Sequence, residues 1–181
     1  MAKVHKWERC CIVPTFGGIM AIDFDQGKLH ELFQYKDGNL IWKESRRKAR
    51  AGNVAGRKKS NGYCEVHVNG RLHGTHRIIF MMFHGHMPKI IDHIDGDPSN
   101  NRIENLREAS IAQNAMNSKK PSNNTSGFKG VYFCNRTNKW VAQCWALNTK
   151  HNLGHFQDIQ DAAKAVSDFR NSHHGEFANN G

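Results

Sequence analysis

The chain has 181 residues, a formal charge of +10 and a hydrophobic content of 38%. That length suits one domain or two small ones joined by a linker, and the low apolar share argues against one large core. The charge points to a polyanionic partner, nucleic acid or an acidic membrane surface, and no apolar run is long enough to span a bilayer.

Residues 11–22, CIVPTFGGIMAI, superficially resemble a secretory signal, but Pro14, Gly17 and Gly18 break the apolar run and no small-residue cleavage site follows. The first 28 residues carry no role that can be assigned. Cys10, Cys11, Cys64, Cys134 and Cys144 form no Cys-x-x-Cys pair, which argues against a disulfide framework and a structural zinc. A reducing setting fits: cytoplasmic, not secreted. Residues 19–42 mix short apolar runs with turn signals, and Lys36-Asp37-Gly38-Asn39 predicts a hairpin.

Residues 43–59 hold eight Lys/Arg and one Glu, so +7 of the total +10 sits here. The segment lacks apolar periodicity and reads as a loop or extended arm. It is either a solvated run or an electrostatic track for phosphates, with Arg46, Arg47, Lys48, Arg50, Arg57, Lys58 and Lys59 as the contacts. Tyr63, Glu65 and His67 then alternate with Cys64, Val66 and Val68, and Asn69-Gly70 predicts a second hairpin. From Thr75 a helix is predicted, with Ile78, Ile79, Met82 and Phe83 on one face and Gly85 as its stop. His67, His73, His76, His84 and His86 cluster here, each more ordinary as a structural or exposed residue than as a ligand.

Residues 90–109, IIDHIDGDPSNNRIENLREA, concentrate acids, amides and an imidazole in a basic protein. Ile90 to His93 predicts a short buried strand, DGDPSNN a loop, RIENLR a return strand and SIAQNAMNS a helix, with Ser110 and Gln113 in capping-box spacing. A calcium loop fails in both registers: counted from Asp92, position 12 is Ile103, and counted from Asp95 it is Leu106. A phosphodiesterase site fits better. Magnesium keeps several waters, so the carboxylate of Asp92 and the amide oxygen of Asn114 would suffice as ligands. A neutral His93 would take the proton from water. Neighbours in a strand point to opposite faces, so Asp92 and His93 share a site only if the strand ends or twists there.

Residues 91–117, together with LFQYKDGNLIWK and AGRKKSNGYCEVHVNGRLHGTHRIIFMMFHGHMP upstream, closely resemble the HNH homing endonucleases of phages and bacteria, in the H-N-N variant. The resemblance runs from about Leu32 to Asn117. It implies a ββα-metal module with His93 as general base and Asp92 and Asn114 as ligands of Mg²⁺, or of Mn²⁺. Asn105, twelve residues after the histidine, would brace the loop. Asn100, Asn101, Asp95 and Asp97 read as structural.

SKKPSNN, residues 118–124, opens the clearest linker, placed at 118–125. Beyond it GFKGVYFC, WVAQCWA and HNLGHF alternate as three strands. A helix follows, N-capped by Asp158, with an apolar stripe of Ile159, Ala162, Ala163, Val166 and Phe169 and a stop at Gly175. The KGV, KWVA, LGHF, AA and GEFA positions are similar to the ethylene-response-factor DNA-binding domain of the APETALA family, over about Ser126 to Asn179. That family lays its sheet in the major groove. The resemblance implies a reading face of Val141, Gln143 and Trp145, with Tyr132, Arg136 and Lys139, while Trp140, Ala142 and Cys144 pack on the helix. Tyr132 and Trp145 stand where that family usually has arginines.

The fold class expected is therefore α+β. Residues 1–117 would carry the nuclease module and residues 126–181 a three-stranded antiparallel sheet packed on one helix. The function expected is cleavage of double-stranded DNA, as a nick or a double-strand break, by a monomer or homodimer needing no small-molecule cofactor. The alternative is a non-catalytic DNA-binding regulator with a decayed nuclease fold. An RNA partner rests on charge alone.

Overall fold

Asp25 starts the first helix by accepting a 2.8 Å hydrogen bond from Lys28 N. The structure, a computed structural model, describes residues 25–46, 49–146 and 149–181. The signal-like run at 11–22, Cys10, Cys11, Arg47 and Lys48 lie outside the described residues. Helix α1 (Gln26–Leu32) runs into the hairpin β1 (Phe33–Lys36) and β2 (Asn39–Trp42). The sequence pattern misses α1, because seven residues make about two turns, too few to show a period. The hairpin is as predicted: Asp37 and Gly38 take φ of 48° and 82°, as a two-residue turn requires. Gly38 is also needed for space, since a Cβ there would lie 2.9 Å from Arg102 N.

The basic segment is not a free arm. Trp42 N donates to Asn53 O at 3.0 Å and Ala55 N to Leu40 O at 2.6 Å, so the chain curls back along β2. It ends in β3 (Arg57–Lys58), which pairs with β4 (Cys64–Val68). Backbone groups that an arm would leave to water find partners this way. Arg46, Arg50, Arg57, Lys58 and Lys59 all remain exposed.

Strand β4 turns through Asn69-Gly70 into β5 (Arg71–Gly74), and α2 (Thr75–His84) follows at once. Gly85 stops the helix in the left-handed region at φ 71°. The predicted face needs one correction: Phe80 is buried and Phe83 is 46% exposed. Helix α2 packs on α1 as well as on β4 and β5, so its buried arc is wider than a single stripe.

Strand β6 (Ile90–His93) pairs antiparallel with β7 (Leu106–Ala109). The return strand starts at Leu106 rather than at Arg102, because residues 103–105 form a 3₁₀ turn closed by Asn105 N on Arg102 O. Helix α3 (Ile111–Met116) opens on the predicted capping box: Ser110 Oγ accepts from Gln113 N, and Gln113 Oε1 accepts from Ser110 N. One buried cluster, including Leu29, Phe33, Leu40, Val66, Ile78, Ile79, Ile91 and Leu106, joins α1, β1, β2, β4, α2, β6 and β7. Each such side chain contributes about 1.5–3 kcal/mol when fully buried.

Strands β8 (Val131–Cys134), β9 (Lys139–Ala146) and β10 (Thr149–Phe156) form a second antiparallel sheet with β9 in the middle. The third strand is longer than HNLGHF, since its pairing with β9 begins at Thr149 and carries a bulge between Asn152 and Gly154. Helix α4 (Ile159–His173) covers one face, burying Ala162 and Val166 against Val131 and Ala142. Arg170 is also buried on this helix, its charge spread into a 2.9 Å bond to Lys129 O. The segment 118–125 is tied rather than slack: Asn124 N donates to Pro121 O and Asn124 Nδ2 to Phe128 O, both at 3.0 Å. The described chain is thus a mixed α/β protein of small antiparallel sheets and four α-helices.

Candidate active site

Strand β6 ends at His93, and its last two residues, Asp92 and His93, are both buried. They line one recess with Asn114 and Asn117 of the α3 region, Tyr63, Gly96, Pro98 and Lys119. The strand end does what the spacing required: Gly96 N turns back onto His93 O at 2.8 Å, and both neighbours reach the same recess.

The imidazole is oriented by one bond, His93 Nε2 to Asn101 Oδ1 at 3.0 Å, between buried groups. An amide oxygen can only accept, so Nε2 is the donor in this bond, and in a neutral imidazole so held the lone pair is on Nδ1. His76, from the start of α2, lies 5.3 Å from His93 ring to ring, and Tyr63 lies 5.9 Å away. Burial, then the neighbouring His93 and Arg77, push His76 down to about 3, so it stays neutral. Its buried Nδ1 has no hydrogen-bond partner.

The loop beyond His93 is a hydrogen-bonded frame. Asn105 accepts from Asp95 N at 3.0 Å and donates to Asp95 Oδ1 at 2.9 Å and to Asn100 O at 2.8 Å. Burial works against the charged form of Asp95. The bonds from Asp97 N, Asn100 and Asn105, with His93 nearby, nevertheless hold its carboxyl below the usual range. Asp97 accepts from Ser99 N and Ser99 Oγ. The first hairpin buttresses this frame, Tyr35 Oη accepting from Ile103 N at 3.1 Å.

Asp92 is held from two sides. Arg107 Nε donates to its Oδ2 at 2.9 Å, and Arg107 Nη2 lies 2.9 Å from the same oxygen. Asn117 Nδ2 lies 3.0 Å from Oδ1, 2.9 Å from Oδ2 and 2.8 Å from His93 O. Asn114 is exposed at the rim of the same recess. Arg107 and Asn117 did not emerge from the sequence reading, and His76 reads there only as one of five histidines more ordinary as structural or exposed than as a ligand. The Asn114-x-x-Asn117 spacing was a usable signal, since residues three apart on a helix share a face. His76 carried no local signal and is brought in by α2.

Among the described residues, no group of three or more His, Cys, Asp and Glu is placed to hold a metal ion. One buried carboxylate and one amide oxygen in a single recess suit a hard, largely hydrated divalent ion, which needs few protein ligands. The donor set is therefore of the kind a hard divalent ion accepts. Cys64, Cys134 and Cys144 are free thiols away from the recess.

The candidate nucleic-acid contacts fall on two surfaces. Arg46, Arg50 and Arg57 line one groove with Asn53, Val54 and Leu72. Lys58 and Lys59 lie on the stretch leading to Tyr63. On the second sheet, Trp145 is 63% and Tyr132 44% exposed, Gln143 and Lys139 are half-buried and Arg136 is exposed in the turn. Val141, expected on that face, is buried. Register adds three residues that the sequence reading missed: Lys150, Asn152 and His155 pair with Trp145, Gln143 and Val141 and share their face. Gln143 and Trp145 also line a recess with Ala112, Ala115 and Met116 of α3, and Lys119 lines both this recess and that of His93.

Residues 73–116 match the HNH endonuclease family. The chain is also similar to "Protein 3.8" of Escherichia phage T7, 36% identical over 96 residues, which make up 52% of this chain and 78% of that protein. No solved structure matches the chain. No helix among the described residues is long and apolar enough to cross a membrane.

Proposed function

We propose, on the premise that the chain belongs to the family of Protein 3.8 of Escherichia phage T7 and carries an HNH endonuclease domain, that it is a divalent-metal-dependent endonuclease of double-stranded DNA. The observation that carries this reading is the buried pair Asp92 and His93, sharing a recess with Asn114, with the ring of His93 oriented by Asn101. Asp92 and Asn114 would hold the ion. When bound, it neutralises charge on the phosphate and supports the departing oxygen. His93 Nδ1 takes the proton of the attacking water. Asn105 keeps the loop, and so the end of β6, in place. His76 stays uncharged and adds no cation that would compete with the imidazolium forming on His93.

The chemistry belongs to residues 1–117, in a ββα-metal arrangement of β6, β7 and α3. Residues 118–125 connect it to an APETALA-like unit, residues 126–181, that grips DNA through the face of Tyr132, Gln143 and Trp145. Lys119, lining both recesses, supports a DNA path from the sheet to His93. Sequence preference of the homing-endonuclease kind would come from that sheet, Gln143 being able to read adenine bidentately. The setting would be the cytoplasm of a phage-infected bacterium.

The test is conversion of supercoiled plasmid by the purified chain with magnesium, with manganese and with EDTA, beside His93→Ala. Cleavage with either ion, abolished by EDTA and by the substitution, is the result expected. Undiminished cleavage in EDTA overturns the metal role. Tight DNA binding with no cleavage under any ion replaces the nuclease by a DNA-binding regulator.

A further inference from the structure

Arg107 and Asn117 hold the carboxylate of Asp92, and both are themselves held by the carboxyl-terminal tail. Arg107 donates from Nη1 to Glu176 O at 2.8 Å, and its guanidinium carbon lies 3.6 Å over the ring of Phe177. Phe177 is 4% exposed, so this is a packed contact. Asn179 Nδ2 donates to Asn117 O at 2.7 Å and approaches Asn117 Oδ1 at 3.2 Å. Lys129 donates to Met116 O, Ser118 O and Asn179 O, stitching the tail to the end of α3.

These bonds define orientation as well as proximity. A guanidinium is a planar fork. With Nε on Asp92 Oδ2, Nη1 on Glu176 O and a face on Phe177, the guanidinium of Arg107 is held on three sides. An amide can be flipped, but Asn117 cannot afford it: the flip would aim Oδ1 at the carboxylate of Asp92 and Nδ2 at the donor of Asn179. The partner on the far side of a ligand decides where the ligand points.

We infer that the tail from Glu176 to Asn179 is part of the nuclease centre: Phe177 and Asn179 are positioning residues that set Asp92 for a divalent cation through Arg107 and Asn117. This rests on the proposed role of Asp92 as a metal ligand. It makes the carboxyl-terminal unit a structural member of the active site as well as the grip on DNA.

The test uses the full chain and Mn²⁺ alone, without DNA. Bound manganese is read from the loss of the free-ion signal in electron paramagnetic resonance. Melting temperature and DNA affinity in EDTA are measured alongside. Asn179→Ala and Phe177→Leu are each expected to weaken manganese binding by about 10- to 100-fold, the range for residues behind a metal ligand. DNA affinity in EDTA should stay within about twofold, because the basic groove and the open sheet face are untouched. A merely structural tail would lower the melting temperature and leave the folded variants' manganese affinity unchanged, and that result overturns the inference. If Phe177→Leu fails to fold, Asn179→Ala, at a half-buried position, decides alone. Asp92→Ala separates the two levels. If it removes manganese binding while the tail variants keep it, the tail's role fails and the metal role stands. If it leaves binding unchanged, both fail.

Discussion

His93 Nε2 lies 3.0 Å from Asn101 Oδ1, and both side chains are buried. The bond selects the tautomer whose lone pair is on Nδ1, and so names the nitrogen that can act as base. Asn101→Leu removes the partner while keeping a similar volume. Single-turnover cleavage should fall by at least about tenfold, part of the 10²–10⁴ that a positioned base supplies. DNA affinity should not change. A rate equal to wild type would separate Asn101 from the chemistry.

His93→Ala should remove cleavage and leave DNA binding nearly intact. The expected loss in rate is about 10²- to 10⁴-fold. Binding is read in EDTA by fluorescence anisotropy, cleavage in magnesium on the same duplex. Cutting within about threefold of wild type would take the base role from His93.

Asn105 spans the loop with bonds to Asp95 N, Asp95 Oδ1 and Asn100 O. Asn105→Ala leaves these groups without their partner, at a cost of about 1–2 kcal/mol for a half-buried site. The melting temperature should drop by roughly 2–8 °C in a chain of this size, with cleavage reduced as well. An unchanged melting temperature would show that the loop does not need its brace.

His76 sets a pH dependence of stability. Its folded value, down at about 3, lies below the ordinary 6.5, so the unfolded chain binds the proton first. Stability present above about pH 6.5 is then lost progressively as the pH falls towards 3. Asp95, also held low, acts later, below the ordinary carboxylate range near 4. Between pH 7.5 and pH 5 the wild type should therefore lose more melting temperature than His76→Leu does. Equal losses in the two proteins would mean that His76 is protonated in the folded state.

Arg46, Arg50 and Arg57 share one groove and are all exposed. If each neutralises a phosphate, replacing all three by Gln should flatten the log-log dependence of DNA affinity on salt by about 2.7. Sequence preference should hold, since phosphate contacts position the protein without reading bases. A slope unchanged by the triple substitution would assign the groove to another role.

Local chemistry alone determined much of this protein. The Asp37-Gly38 and Asn69-Gly70 turns, the Gly85 stop and the Ser110–Gln113 capping box each depend on residues a few positions apart, and all stand in the fold. The placing of Asp92 and His93 at a strand end was legible for the same reason, whereas a bracing Asn105 was implied only by the resemblance to the HNH family. Only the tertiary structure decided what holds Asp92. Asn117 reaches it across 25 positions, Asn179 reaches Asn117 across 62, and the Arg107 to Glu176 bond spans 69. Helix α2 brings His76 to His93 in the same way. The curl of the basic segment and the placing of Lys150, Asn152 and His155 on the open sheet face depend on which backbone groups pair across strands. A turn or a cap is settled by the few side chains and dihedrals within it. A contact between distant residues exists only once the whole core has closed around it, and no short window of sequence contains that information.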